Sequence, residues 1–223
     1  MVTIAHASKD EHGVYQGGQA GDQTGFEVCL RSWYNRPWTH VIRFNDSKMA
    51  NKVAEAMEKA AKNDHIGYDQ FQRNTLLTHA RKVGYDPGRV TVDCETDCSA
   101  LVSVACMYAG VKESVLYVSG NSSTTRSIRQ RLSSTGLVKI FTDSEYTART
   151  DHLRRGDILL CEGHHVAVVT GNTAAHKKTI DEVVVDVLAG KYGDGNLRKA
   201  RLTAEGYDPA VIQAEVNKRI KGE

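Results

Sequence analysis

The chain has 223 residues, 40% of them hydrophobic and 25% charged, and a formal net charge of +2. This is the composition of a globular chain of one or two domains, with no electrostatic case for a nucleic-acid partner. No run approaches the roughly 18 apolar residues that cross a bilayer, and residues 1–13 lack the basic-then-apolar order of a secretory signal, so neither membrane insertion nor signal-led export is expected.

Residues 26–44 alternate and are rich in aromatic and β-branched types, with Pro37 interrupting them, which predicts two short strands. Asp46 and Ser47 form a helix-start signal, and a helix follows over 49–62. A second helix is expected over 70–82, stopping at Gly84. Thr96 or Asp97 caps a third over 98–109, closed by Gly110. A short helix near 125–132 and a strand over 137–141 precede two apolar strands, 158–161 and 165–169, around the Glu162-Gly163-His164 connection. Helices first and strands last predict an α+β domain over 1–172, with an antiparallel sheet packed on helices.

Residues 173–178 read as a linker, and the pattern over 179–223 is purely helical. Ile180, Val183, Val184, Val187 and Leu188 share one helical face, which Gly190 ends. A second helix covers 197–205, and Asp208-Pro209 starts a third with Val211, Ile212, Val216 and Ile220 on one face. Three short helices make a marginal core, the kind of unit that binds something or repeats.

Five cysteines (Cys29, Cys94, Cys98, Cys106 and Cys161) at irregular spacing do not form a disulfide framework. A helix N-terminus stabilises a thiolate, and Cys98 sits at a predicted first turn where its own N–H can also meet an oxyanion. Cys94 lies in the approach to that turn, and Cys106 lies deep in the helix as a core residue. A thiol nucleophile needs a base, and His165, at the mouth of an apolar strand, is the candidate; the competing reading is a solvated histidine near a turn. A second reading gathers Cys94 and Cys98 with Cys161 and His164 as zinc ligands. A third is a wall-binding protein without catalysis. The glycine clusters at 17–18 and 193–195 lack the Lys-Ser/Thr of a phosphate loop and read as turns.

Asp97-Cys98-Ser99-Ala100-Leu101-Val102 resembles the D-C-S-G-L-V nucleophile motif of NlpC-type papain-like cysteine peptidases. Gly156-Asp157-Ile158-Leu159-Leu160 and His165-Val166-Ala167-Val168 resemble that family's G-D-L and H-V-G strands, with the histidine 67 residues after the cysteine. Ile66-Gly67-Tyr68-Asp69-Gln70 with Arg73 is similar to a segment that precedes the nucleophile in phage peptidoglycan hydrolases of this group. Ala20-Gly21-Asp22-Gln23-Thr24-Gly25, with Trp33 and Trp38, is similar to the N-terminal part of some phage lysins. The resemblance implies a papain-like fold, Cys98 as nucleophile, His165 as general base, Tyr68, Asp69 and Arg73 near the substrate groove, and no metal or cofactor. It implies a phage endolysin that stays in the host cytoplasm until released to the wall. The substrate is then bacterial peptidoglycan, cut in its peptide part, as an endopeptidase or alternatively as an N-acetylmuramoyl-L-alanine amidase. One departure stands out. The family orients its histidine with a polar residue on the next strand, where this chain has Lys177, which has no lone pair to accept the imidazole N–H. His176 is adjacent, and the orienting group stays unassigned.

The tail, from Ile180-Asp181-Glu182 through Ala189-Gly190-Lys191-Tyr192-Gly193-Asp194-Gly195 to Gly206-Tyr207-Asp208 and Asn217, resembles the "CW seven" cell-wall-binding repeat of phage lysins. That implies a three-helix module for peptidoglycan fragments. Lys191, Arg198 and Arg201 could then meet muropeptide carboxylates, and Tyr192 or Tyr207 could stack on a sugar. The competing reading makes both tyrosines core and the cations solvated.

Overall fold

Residues 1–172, 180–204 and 207–221 are described by a computed structural model, which divides into two units, Met1–Ala174 and Ala175–Glu223. The expected linker, with His176 and Lys177, lies outside the described residues. In chain order the larger unit contains β1 (Val2–Ala7), β2 (Val28–Ser32), β3 (His40–Phe44), α1 (Ser47–Ala60), β4 (Ile66–Tyr68), α2 (Thr75–Ala80), β5 (Cys94–Thr96) and α3 (Cys98–Tyr108). It continues through α4 (Glu113–Leu116), β6 (Tyr117–Val118), β7 (Asn121–Ser122), α5 (Ile128–Ser133), β8 (Val138–Phe141), α6 (Ser144–Thr147), β9 (Ile158–Cys161) and β10 (His165–Asn172).

Six strands form one antiparallel sheet in the order β2-β1-β10-β9-β3-β8, which makes the unit α+β. The unanticipated strand is β1. It lies between β2 and β10, pairing Ile4 with Val169 and Ala5 with Val168. Five of its six residues are buried, because both faces of the sheet are covered. A strand of that kind loses the alternation by which half-buried strands are read.

On one face Ile42, Phe44, Ile158, Leu160, Val166 and Val168 pack with α1 and α3. On the other, Val2, Ile4, Val41, Leu159, Ala167 and Val169 pack with Trp38, Trp33 and Tyr34. Helix α3 is buried from Cys98 through Met107, as a helix apolar all round should be. Gly156 has φ +85, and a Cβ there would run into the backbone of Ala50 in α1. Its neighbour Asp157 is buried and takes a two-pronged bond from Arg43 at 2.7 Å on each oxygen. Gly156 thus lets the chain pass close to α1, and Asp157 ties the start of β9 to β3.

Helix α2 starts later than the periodicity predicts. Asp69 Oδ1 accepts the N–H groups of Phe71 (2.5 Å) and Gln72 (3.0 Å), so a side-chain turn takes the place of the first helical turn. In the smaller unit, α7 (Ile180–Leu188), α8 (Gly195–Ala204) and α9 (Pro209–Lys221) bury Val183, Val184, Val187, Tyr192, Leu202, Ile212 and Val216 together. Ile180, Leu188, Val211 and Ile220, expected on the inner faces, are exposed. Short helices offer a narrower core than their apolar patterns propose.

Candidate functional site

Helix α3 begins at Cys98, and its cap is Asp97, whose Oδ1 accepts from Ser99 N (2.9 Å) and Ala100 N (2.7 Å). That cap leaves the Cys98 N–H outside it. Asp97 is itself gripped by Arg73, through Nε to Oδ2 at 2.6 Å and Nη2 to Oδ1 at 3.1 Å. The same guanidinium donates to Ser99 Oγ (2.9 Å), Asn121 Oδ1 (2.6 Å), Ser122 O (3.0 Å) and Ser123 O (2.8 Å). Arg73 is therefore a clamp on the start of α3. Asp69 is likewise buried and committed, accepting from Gly17 N (2.6 Å) as well as from its own turn. Of the three residues expected near a groove, only Tyr68 lines the open cleft.

Strand pairing brings Tyr68 toward Cys98. Parallel strands β4 and β5 set Tyr68 opposite Thr96, two residues before Cys98. Glu27 Oε2 accepts the Tyr68 N–H at 2.9 Å, and Asp22 holds the Glu27 N–H at 3.2 Å. The Ala20–Gly25 segment is thereby built into the site. A Cβ on Gly67 would strike the Gly21 carbonyl, which is why this strand needs glycine there. Burial, and then the nearby Cys98, push the Tyr68 phenol well above its ordinary range, so it stays protonated and able to donate.

The Cys98 sulfur lies against the backbone N–H of Val166, the residue after His165. Both Cys98 and His165 are buried, at 6% and 7% exposure. His165 Nε2 stands 2.9 Å from Nδ1 of His6, on β1. The two rings meet nearly edge to face, 80° apart with centroids at 5.1 Å. Trp38 covers His165 at 6.2 Å, and Tyr34 packs at 5.8 Å from Trp38 and 6.3 Å from His6. Sequence reading missed His6 because its strand showed no alternation and its partner is 159 residues away.

Electrostatics favour an uncharged resting pair. Burial first, then Asp97, pushes the Cys98 thiol up to about 12, against the pull of the Val166 N–H, Arg73 and the Ser99 N–H. Burial first, then His6, Arg36 and Arg31, brings His165 down to about 3. His6 falls to about 4 through burial, Arg31 and Arg36. His165 and His6 line a cleft of about 620 Å³, with Tyr15, Tyr34, Tyr68, Gln70 and His164 also on its walls.

The zinc reading fails on geometry. Among the described residues no three His, Cys, Asp or Glu side chains are placed to hold a metal ion. Cys94 is buried with its sulfur on the His65 carbonyl at 3.4 Å, and burial pushes its thiol up to about 12. Cys106 is core.

Residues 4–176 match the family model described as an endolysin-like domain. The chain belongs to the endolysin-like domain family. Residues 181–220 match a second model, the CW_7 repeat. No curated protein and no solved structure matches. An endolysin-like domain joined to a cell-wall-binding repeat supports a peptidoglycan-targeting endolysin. No described helix is long and apolar enough to cross a membrane.

In the CW_7 repeat the residues singled out for wall binding have varied surroundings. Tyr192 is a core residue, and Tyr207 packs against that core. Lys191 pairs with Asp186 at 2.5 Å, and Arg201 donates to Lys191 O at 3.2 Å. Arg198 bonds Asp194 (2.8 Å), Gly193 O (2.9 Å) and Gln213 Oε1 (3.1 Å). With Lys199, Asp208 and Gln213, Arg198 also edges a groove of about 460 Å³ between α8 and α9.

Proposed function

We propose that this endolysin-like chain is a papain-like thiol hydrolase that cuts an amide bond in the peptide part of peptidoglycan. The observation that carries this reading is the buried His165–His6 bond, with the Cys98 sulfur lying against the N–H of Val166, the next residue of the same strand. With His165 Nε2–H donating to His6, Nδ1 of His165 carries the free lone pair. It takes the Cys98 proton as the sulfur attacks the scissile carbonyl carbon. The developing oxyanion meets the Cys98 N–H at the start of α3 and the protonated Tyr68 hydroxyl at the cleft wall. The imidazolium then passes its proton to the departing amine, leaving a thioester. His165 next takes a proton from water, the resulting hydroxide releases the carboxylic acid, and the proton returns to the sulfur.

His6 serves as a positioning residue, fixing the ring and tautomer of His165 and accepting from it when it is charged. It supplies the function for which the family's usual following strand offers Lys177. Peptidase chemistry within the stem or cross-bridge is the preferred reading, with the muramoyl amide as the alternative; mass spectrometry of digested walls separates them. The repeat holds the enzyme on peptidoglycan, with the Arg198 groove as its contact.

A Cys98→Ala variant tests the reading. It should lose wall clearing completely while still sedimenting with walls. Unchanged clearing would sink the assignment of Cys98.

A further inference from the structure

The cleft lined by His165, His6 and Tyr68 also carries three full cations, Lys9, Arg31 and Arg36, and no carboxylate. Five other arginines of this unit are paired with acids: Arg43 with Asp157, Arg73 with Asp97, Arg81 with Glu113, Arg129 with Glu162 and Arg155 with Glu58. Lys9, Arg31 and Arg36 have no such acidic partner among the described residues. Arg31 instead lies over the Tyr34 ring at 4.5 Å, and Lys9 lies 5.7 Å from the centre of the Tyr15 ring. The Arg36 guanidinium meets the Tyr34 and Cys161 side chains, neither of them a carboxylate, and its Nε is buried with no acceptor among the described residues. A buried donor left without an acceptor is costly, and a planar guanidinium beside an open cleft suits a carboxylate.

We propose that Arg36 and Arg31, with Lys9 at the rim, form a subsite for a free carboxylate of the peptide being cut, beside the scissile amide. The identity of the ligand rests on the hydrolase reading; the subsite itself rests on the unpaired cations. The arrangement also couples binding to chemistry. Arg31 and Arg36 oppose protonation of both histidines, so an empty cleft disfavours the imidazolium that attack requires. A carboxylate seated between them offsets that field when the proton must move, which is binding energy expressed at the reacting centre.

The test uses the full-length chain and a set of synthetic stem peptides in which each free carboxylate in turn is replaced by its carboxamide. Binding is measured by calorimetry to the Cys98→Ala variant, and cleavage by the wild type. One replacement should weaken binding about tenfold, the scale of one charge-assisted hydrogen bond. That difference should vanish in an Arg31→Gln/Arg36→Gln double variant with an unchanged melting curve. Equal binding of acid and amide forms, no binding of any peptide, or a preference that survives in the double variant overturns the subsite. Cleavage reports separately: an acid preference in binding with no cleavage by the wild type leaves the subsite standing and defeats the hydrolase reading, whereas cleavage without preference does the reverse.

Discussion

A histidine can serve as a base toward a buried thiol only if its other nitrogen is occupied in the right sense. In the proposed mechanism His6 provides that partner; it lies 2.9 Å from His165 Nε2 and is 2% exposed. Its own low proton affinity keeps it neutral across the neutral range, as an acceptor must be. Replacing it with alanine should lower kcat by about 100-fold, the usual scale for losing an effective general base, with little change in KM. His6→Asn, whose amide oxygen can accept the same N–H, should recover part of the loss. Equal kcat in wild type and His6→Ala would show that His165 is aimed by something else. Equal loss in both variants, with intact melting curves, would mean that only an imidazole satisfies the position.

The start of α3 shows how one element is built for a site. Asp97 caps the helix, and Arg73 holds Asp97 while tying it to the β7 region through Asn121 and Ser122. Removing Arg73 leaves a carboxylate in a largely buried setting without its counter-charge. Arg73→Ala should therefore cost about 3 kcal/mol of stability, read as a lower urea midpoint at unchanged slope. Arg73→Lys should recover little, because an ammonium is not a two-pronged donor. A midpoint unchanged in Arg73→Ala would contradict the clamp. The cap was legible in the sequence because Asp97 and Cys98 are neighbours in the chain. The clamp was not, since Arg73 reads equally well as a surface ion pair or a groove residue until its partners are known.

Across the larger unit, acids collect beneath the β4–β5 pair. Glu95 is fully buried with neither carboxylate oxygen bonded to another described group. Burial first, then Glu27, Asp69, Glu11 and Asp10, raises it from 4.5 to about 8. Glu27 moves upward too, also chiefly through burial. The sign follows from linkage: a carboxyl whose folded pKa lies above its unfolded one binds its proton more tightly when folded. That stabilisation is complete below pH 4.5 and is lost as pH rises toward 8. The melting temperature of the wild type should fall across this window relative to that of Glu95→Gln, which keeps the shape and discards the charge. Parallel curves for the two proteins would refute the burial of an ionisable Glu95.

What the sequence determined by itself is local. Helix caps, glycine requirements, apolar periodicity and the order of elements placed Cys98 at a helix start and His165 at a strand mouth, because each signal is carried by residues adjacent in the chain. The family resemblance was likewise visible in contiguous motifs. Only the tertiary structure decided which distant groups meet: β1 inserted between β2 and β10, His6 brought to His165, Arg73 turned onto Asp97, and Arg31 and Arg36 left without acids over the cleft. These pairings depend on strand order and register, and nothing in a short window of residues encodes the partner on the far side of a sheet.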